Sequence, residues 1–143
     1  MTIRMMTIDD YDAVYALWAS LPGIGLHEGE DSREGIAYYL KRNPETCFVA
    51  ENEHGETVGA VLCGNDGRRG YINHLAVRED WRGRGIGKAL INACLAVLRR
   101  EGIAQCGMMV FRGNETGNAF WDALGSRRRE DILYRNLRTA EIS

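Results

Sequence analysis

The order of apolar patterns along this 143-residue chain predicts an α/β fold, a single sheet with helices on its faces and elements in the order βααβββαβαβ. Three observations carry that expectation. Two stretches in the first third repeat apolar residues at helical spacing; three short apolar runs separated by turn residues follow; and helix-like and strand-like stretches then alternate to the C-terminus.

"TIRMM" at residues 2–6 is short and partly β-branched, which predicts a first strand, and the Thr7 and aspartates of "TIDD" are residues that begin a helix. Tyr11, Val14, Trp18 and Leu21 recur at i, i+3, i+7 and i+10, a one-faced stripe that "LPG" ends. Beyond the glycine-rich "GIGLHEGE", Asp31 with Glu34 reads as a capping box for a second helix, with Ile36, Tyr39 and Leu40 inward and "RNP" as its stop. "CFVAEN", "TVGAVLCGN" and "YINHLAV", joined by turns at "EHGE" and "DGRRG", predict three consecutive antiparallel strands. A helix from about Gly85 to Glu101 then aligns Ile86, Leu90, Cys94 and Leu98 on one face and ends at Gly102. "QCGMMVF" is a strand, "NETGNAFWDALG" a helix ending in Gly125, and "DILYRNL" a last strand. No repeat, linker or low-complexity segment interrupts this order, so residues 1–143 read as one domain.

Composition narrows the function. A chain that is 45% apolar and 27% charged is ordinary for a folded protein. Its net charge of −2 supplies no global field for nucleic acid or for an anionic membrane, so an anionic ligand has to be bound locally. Cys47, Cys63, Cys94 and Cys106 form no C-x-x-C pair and lie in apolar runs, which predicts buried thiols. With no signal-peptide pattern and no run of 18 apolar residues, a reduced, cytoplasmic location is expected. His27, His54 and His74 share no ligand spacing with one another or with the cysteines, so no metal is expected.

The stretch "EDWRGRGIGKALINACL", residues 79–95, is the clearest functional signal. A strand ending at Val77, a glycine-rich loop and a helix starting near Gly85 make an anion site, because the first amides of a helix lack intrahelical partners and its dipole is positive there. The glycines permit close approach and positive φ, and Arg82 or Arg84 can add bidentate bonds to a phosphate. A Walker loop fails, since Ala89 follows Gly87-Lys88 and position 82 is not glycine; the dinucleotide fingerprint fails because Lys88 stands where its third glycine belongs.

What fits is R-x-x-G-x-G, as Arg82, Gly85 and Gly87, directly after "LAVREDW". Here the sequence resembles the general N-acetyltransferase (GNAT) superfamily, with "YINHLAV" as the central strand and "NETGNAFWDALG" like the family's N-x-x-x-x-A-F-Y helix. The resemblance implies the GNAT fold, with a mixed, mostly antiparallel sheet. It also implies acetyl-CoA as co-substrate, with an acetyl group passing to a primary amine by direct attack in a ternary complex. The amides around Arg84, Gly85, Ile86, Gly87 and Lys88 would hold the pyrophosphate beside Arg82, the backbones of Leu75 and Val77 the pantetheine arm, and Asn114 would contact that arm. A small-molecule amine or a protein or peptide amino group is the implied acceptor. A non-catalytic acyl-CoA binding or sensing module is the alternative reading.

Direct transfer needs no enzyme nucleophile, so the scattered cysteines carry no argument for a covalent intermediate. By the resemblance, the backbone amide of Leu75 polarises the thioester carbonyl. The family's acid is a tyrosine after the helix phenylalanine, but Trp121 follows Phe120 here, and Tyr134 in the last strand is the substitute. A departing thiolate makes a modest proton demand, because a free thiol ionises near pH ~8.5. Strand alternation puts Tyr71, Asn73, Leu75 and Val77 on one face and Ile72, His74 and Ala76 on the other. That turns His74 away from the expected cleft, as a hydrogen-bonded structural histidine, and leaves Asn73 to orient a water; a water chain ending at a carboxylate is a further route for the base. Glu28, Glu30 and Asp31 are placed to attract a cationic amine, and Arg127, Arg128 and Arg129 read as a charged hairpin or edge. The last strands would permit sheet-edge pairing into a homodimer.

Overall fold

The computed structural model describes residues 1–141, which fall into two compact units, one of Met1–Phe111 and one that begins at Arg112. The first unit contains β1 (Thr2–Met5), a 3-10 turn at Ile8–Asp10, α1 (Tyr11–Ala19), α2 (Arg33–Arg42), β2 (Phe48–Glu51), β3 (Thr57–Asn65), β4 (Gly70–Val77), a 3-10 turn at Glu79–Trp81, α3 (Ile86–Arg100) and β5 (Cys106–Met108). Its sheet runs β1-β2-β3-β4-β5, antiparallel except for the parallel β4–β5 pair. The second unit contains α4 (Glu115–Ala123) and a 3-10 turn at Thr139–Glu141.

The expected order is met from β1 through α4. The strand expected over "DILYRNL" is not formed: residues 132–138 are irregular, and Ile132, Leu133, Tyr134 and Leu137 are exposed. A strand is stabilised by ladder bonds and by a buried face, and this segment has neither.

Helices cover both faces of the sheet. Val14, Leu17 and Trp18 of α1 and Ile36 and Leu40 of α2 form one core with Val49, Ala60, Leu62 and Ala76. On the opposite face α3 approaches so closely that a Cβ on Gly59 would lie 3.0 Å from Ile86 and 3.1 Å from Leu90. The three cysteines at 47, 63 and 94 are buried, as expected, and Cys106 is partly buried.

Two local departures matter for the site. Ser32, not Asp31, caps α2, its Oγ accepting from the Gly35 N–H at 3.1 Å; the expected capping box of Asp31 and Glu34 is not formed, because with Ser32 as cap its third helical residue is Gly35, which has no side chain to reach back. More consequential is the register of β3 with β4, where Ala60 pairs with Ala76 but Leu62 pairs with Asn73. His74 and Leu75 therefore both stand opposite Val61, a β-bulge. Paired residues share a face, so Tyr71 and Asn73 lie with Ala76, whereas Val77 lies with Ile72. The uninterrupted alternation expected along β4 is corrected accordingly: one extra residue reverses the parity of everything after it.

Gly35 supports the loop that precedes α2. A Cβ there would lie 2.2 Å from the Gly29 carbonyl oxygen and 2.6 Å from that of Glu30, both backbone atoms. Alanine normally favours a helix over glycine by about 1 kcal/mol, but Gly35→Ala is expected to destabilise by about 2 kcal/mol through this overlap, read by urea denaturation. A second expectation concerns alkali. Burial pushes the Cys47 thiol up to about 12, with a backbone hydrogen bond at Cys63 opposing it in part. The unfolded thiol ionises first, so this contribution is complete below pH 9 and is lost as pH rises toward 12. Denaturation midpoints should fall over that window, and Cys47→Ala should flatten the fall.

Candidate functional site

The site starts where β4 leaves β5. Their ladder runs from Gly70↔Cys106 to Ile72↔Met108, while β4 continues to Val77, so residues 73–77 have no strand partner on this edge among the described residues. Leu75 and Val77 lie in that stretch. The Arg78 N–H donates to Val58 O across β3 at 2.8 Å, and neighbouring residues of a strand direct their polar groups oppositely. The groups of Val77 thus face the open edge, where its carbonyl accepts from Arg82 Nε at 3.3 Å.

The chain then turns through Glu79–Trp81 into the glycine loop. Gly83 and Gly85 have φ of 78° and 81°, and a Cβ on either would meet nothing within 4 Å, so conformation and not crowding requires glycine here. Gly85 is the N-cap of α3 and has no side chain to satisfy the first turn; the first bond of the helix runs from the Ala89 N–H to Gly85 O at 3.0 Å. The amides of Ile86, Gly87 and Lys88 precede that bond at the positive end of a 15-residue helix whose first turn contains no acid.

Charge around the loop is unevenly committed. Arg78 is paired with Asp80 at 2.7 Å and lies 3.7 Å from Glu56, and it holds the Asp80 carboxyl below the usual range. Arg84 stacks its guanidinium 4.2 Å from the Trp81 ring centroid. Arg82, Arg84 and Lys88 are exposed and make no ion pair among the described residues. The loop, the uncapped turn and these cations suit a diphosphate.

On the other side of β4, the expected roles of two residues change. Asp31 is not an exposed acid waiting for an amine: it is 5% exposed, its Oδ1 lies 2.8 Å from His74 Nε2, and its Oδ2 accepts from the His27 N–H at 2.8 Å. His74 is hydrogen-bonded, as expected, and its ring packs edge-on to Trp18 at 4.9 Å. The signal for this pair is weak in the sequence, since Asp31 and His74 are 43 residues apart. Asn73 is bonded to the Tyr39 hydroxyl, which burial pushes well above the usual tyrosine range. Glu28 and Glu30 remain exposed in the α1–α2 loop, and Tyr11, Tyr15, Leu26, His27, Glu28 and Ser32 line a cleft of about 280 Å³.

In the second unit, Asn114 caps α4, its Oδ1 accepting from the Gly117 N–H at 2.9 Å. Phe120 and Trp121 pack edge to face at 5.1 Å. Tyr134 is 71% exposed, and its hydroxyl lies 3.4 Å from Asn136 Oδ1. Arg128 pairs with Asp122 at 3.0 Å and Arg129 with Asp131 at 2.8 Å. Among the described residues no helix is long and apolar enough to cross a membrane, and no group of three or more His, Cys, Asp or Glu side chains could hold a metal ion.

Comparison with known proteins bears directly on the loop and the sheet. Residues 11–125 match the acetyltransferase (GNAT) family. The chain belongs to that family. An acetyltransferase of Pectobacterium atrosepticum is 36% identical to it over 124 residues, which are 87% of this chain and 86% of that protein. The structure of Ard1 from Thermoplasma volcanium superposes with a TM-score of 0.76 at 25% identity, over 87% of this chain and 80% of that one. The fold is also that of a PaiA N-acetyltransferase from Thermoplasma acidophilum in complex with coenzyme A, with a TM-score of 0.72 at 17% identity over 86% and 87% of the two chains. The protein is accordingly an acetyl-CoA-dependent N-acetyltransferase of the GNAT family.

The glycine loop of this acetyltransferase is testable without a ligand. Gly85→Ala is expected to destabilise the fold by about 1–2 kcal/mol, the strain of a left-handed residue with a side chain. Gly107→Ala, where a Cβ meets nothing within 4 Å, should change stability by less than about 0.5 kcal/mol. Equal effects in chemical denaturation would show that φ at Gly85 is not the constraint.

Proposed function

We propose that the protein transfers the acetyl group of acetyl-CoA to the primary amine of a small molecule or of a protein or peptide, by direct attack in a ternary complex. The observation that carries this reading is the uncapped first turn of α3 behind two positive-φ glycines. Five amides from Arg84 to Lys88 and the Arg82 guanidinium are assigned to the pyrophosphate, and the open edge of β4 at Leu75 and Val77 to the pantetheine amides. A chain running along that edge would pair as an added strand does, with its thioester end toward the bulge.

In this reading the Leu75 N–H faces the thioester oxygen and stabilises the charge that forms as the amine attacks. The C–N bond forms, the C–S bond breaks, the amine gives up one proton and the departing thiolate takes one. Tyr134 as the donor of that second proton and Asn114 as a contact to the arm rest on the resemblance of their segment to the family. Asn73 retains a water-orienting role only if it exchanges its bond to Tyr39 for one to water. The whole chain serves as one acetyltransferase domain, acting in the reducing cytoplasm with its four thiols free.

Calorimetric titration with acetyl-CoA tests the reading. One saturable site is expected, weakened about tenfold by Arg82→Ala, the loss of one charge-assisted contact. Gly85→Asp should weaken it further, because a carboxylate then stands at the anion site. Binding untouched by both substitutions would remove the loop from the site; bound acetyl-CoA with no thiol release to any amine in a broad screen would favour a sensing module.

A further inference from the structure

Among the described residues, His74 is the only one other than glycine with positive φ, 52°, and it is the first of the two residues that bulge from β4 opposite Val61. Side chains disfavour that conformation, and it persists where the surroundings hold it. Here the holding contacts are explicit. His74 is only 17% exposed at its side chain; its Nε2 lies 2.8 Å from Asp31 Oδ1; and its ring packs edge-on to Trp18 at 4.9 Å.

Asp31 is itself fixed. Its second oxygen accepts from the His27 N–H at 2.8 Å, and the Tyr11 hydroxyl donates to its carbonyl at 2.6 Å. Oδ2 is taken by the backbone, so Oδ1 is the oxygen that meets Nε2 of His74. The loop from His27 to Asp31 also lies directly on α2, where the absence of a side chain at Gly35 admits the carbonyls of Gly29 and Glu30. The loop is therefore clamped by α2 on one side and by the bulge of β4 on the other.

The Leu75 N–H belongs to the peptide that leaves His74, so the backbone angles of His74 aim it. We infer that Asp31 and His74 form a positioning couple that locks the α1–α2 loop to the bulge and thereby sets the direction of the Leu75 amide. Neither residue touches the thioester; both act through the backbone. The inference rests on the acetyl-CoA reading above. It makes the loop that lines the 280 Å³ cleft and the amide that polarises the carbonyl parts of one mechanical unit.

The test is the carbonyl stretch of acetyl-CoA labelled with ¹³C at its carbonyl carbon, measured by isotope-edited infrared difference on the bound complex. Four proteins are compared: the unaltered chain, His74→Gly, Asp31→Asn and His74→Gln. Glycine accepts φ of 52° without strain, so His74→Gly removes the couple while leaving the bulge accessible, and glutamine places an N–H donor where Nε2 stood. In the unaltered protein the bound carbonyl should absorb at lower frequency than free acetyl-CoA. His74→Gly and Asp31→Asn should lose most of that displacement while calorimetric affinity changes by no more than about twofold, and His74→Gln should recover most of it. Amide hydrogen exchange at residues 27–32 should rise about tenfold in the first two variants. An undiminished displacement in both variants, with binding intact, overturns the inference and leaves the acetyl-CoA reading standing. Failure of the unaltered protein to bind acetyl-CoA overturns both.

Discussion

Midway along β4 the strand carries one residue more than β3 can pair, and the geometry on either side of that point follows from the mismatch. Before it, Tyr71 and Asn73 lie on the face of α1 and α2; after it, Val77 lies on the face of α3. A bulge bends a strand and increases its twist, and the parallel ladder with β5 stops at Ile72, just before the bulged stretch begins to diverge. The result is a strand whose first half belongs to the sheet on both edges and whose second half has no strand partner on one edge among the described residues. The Leu75 and Val77 backbones assigned to the acetyl-CoA arm lie on that second half, and the glycine loop continues from it.

An acidic protein needs a local device to hold a polyanion, and the device here is made mainly of backbone. α3 has Arg99 and Arg100 in its last turn and no acid in its first, an arrangement that complements the helix dipole at one end and leaves the positive end unopposed at the other. The placement of those amides is set by core packing: Ile86 and Leu90 seat α3 against Gly59, where any side chain would push the helix away from the sheet. Of the nearby cations, Arg78 is spent on Asp80 and Glu56, whereas Arg84 lies over the Trp81 ring. A stacked guanidinium keeps its donors at the ring edge free and loses little freedom on meeting a phosphate.

The parts of this structure that periodic patterns specify are legible in the sequence. The stripe of Val14 and Trp18, the two turns between β2, β3 and β4, and the strand, glycine loop and helix of residues 70–100 each follow from local rules. What those rules miss is held by distant contacts. The bulge leaves no trace in "YINHLAV", where the partner of its His74 is Asp31, 43 residues away, and a period-2 reading carries the wrong face through to Val77. Asp31 looks like a capping residue since Ser32 beside it is one, and only burial separates their roles. "DILYRNL" has the composition of a strand, but composition does not supply a neighbour to pair with.

The chemistry asks less of side chains than the missing tyrosine at position 121 suggests. Trp121 can donate through its indole N–H but cannot give up a proton at neutral pH, so it does not replace an acid. Tyr134 is mostly exposed, with its hydroxyl 3.4 Å from Asn136 Oδ1. The thiolate can equally be reprotonated by water once it has left. The demanding step is therefore the earlier one, stabilising charge on the thioester oxygen while an uncharged amine approaches. Under the proposed direct transfer, the Leu75 amide, aimed by a residue at positive φ, is the group assigned to that demand, and the contact between Asp31 and His74 is what the proposal makes responsible for its aim.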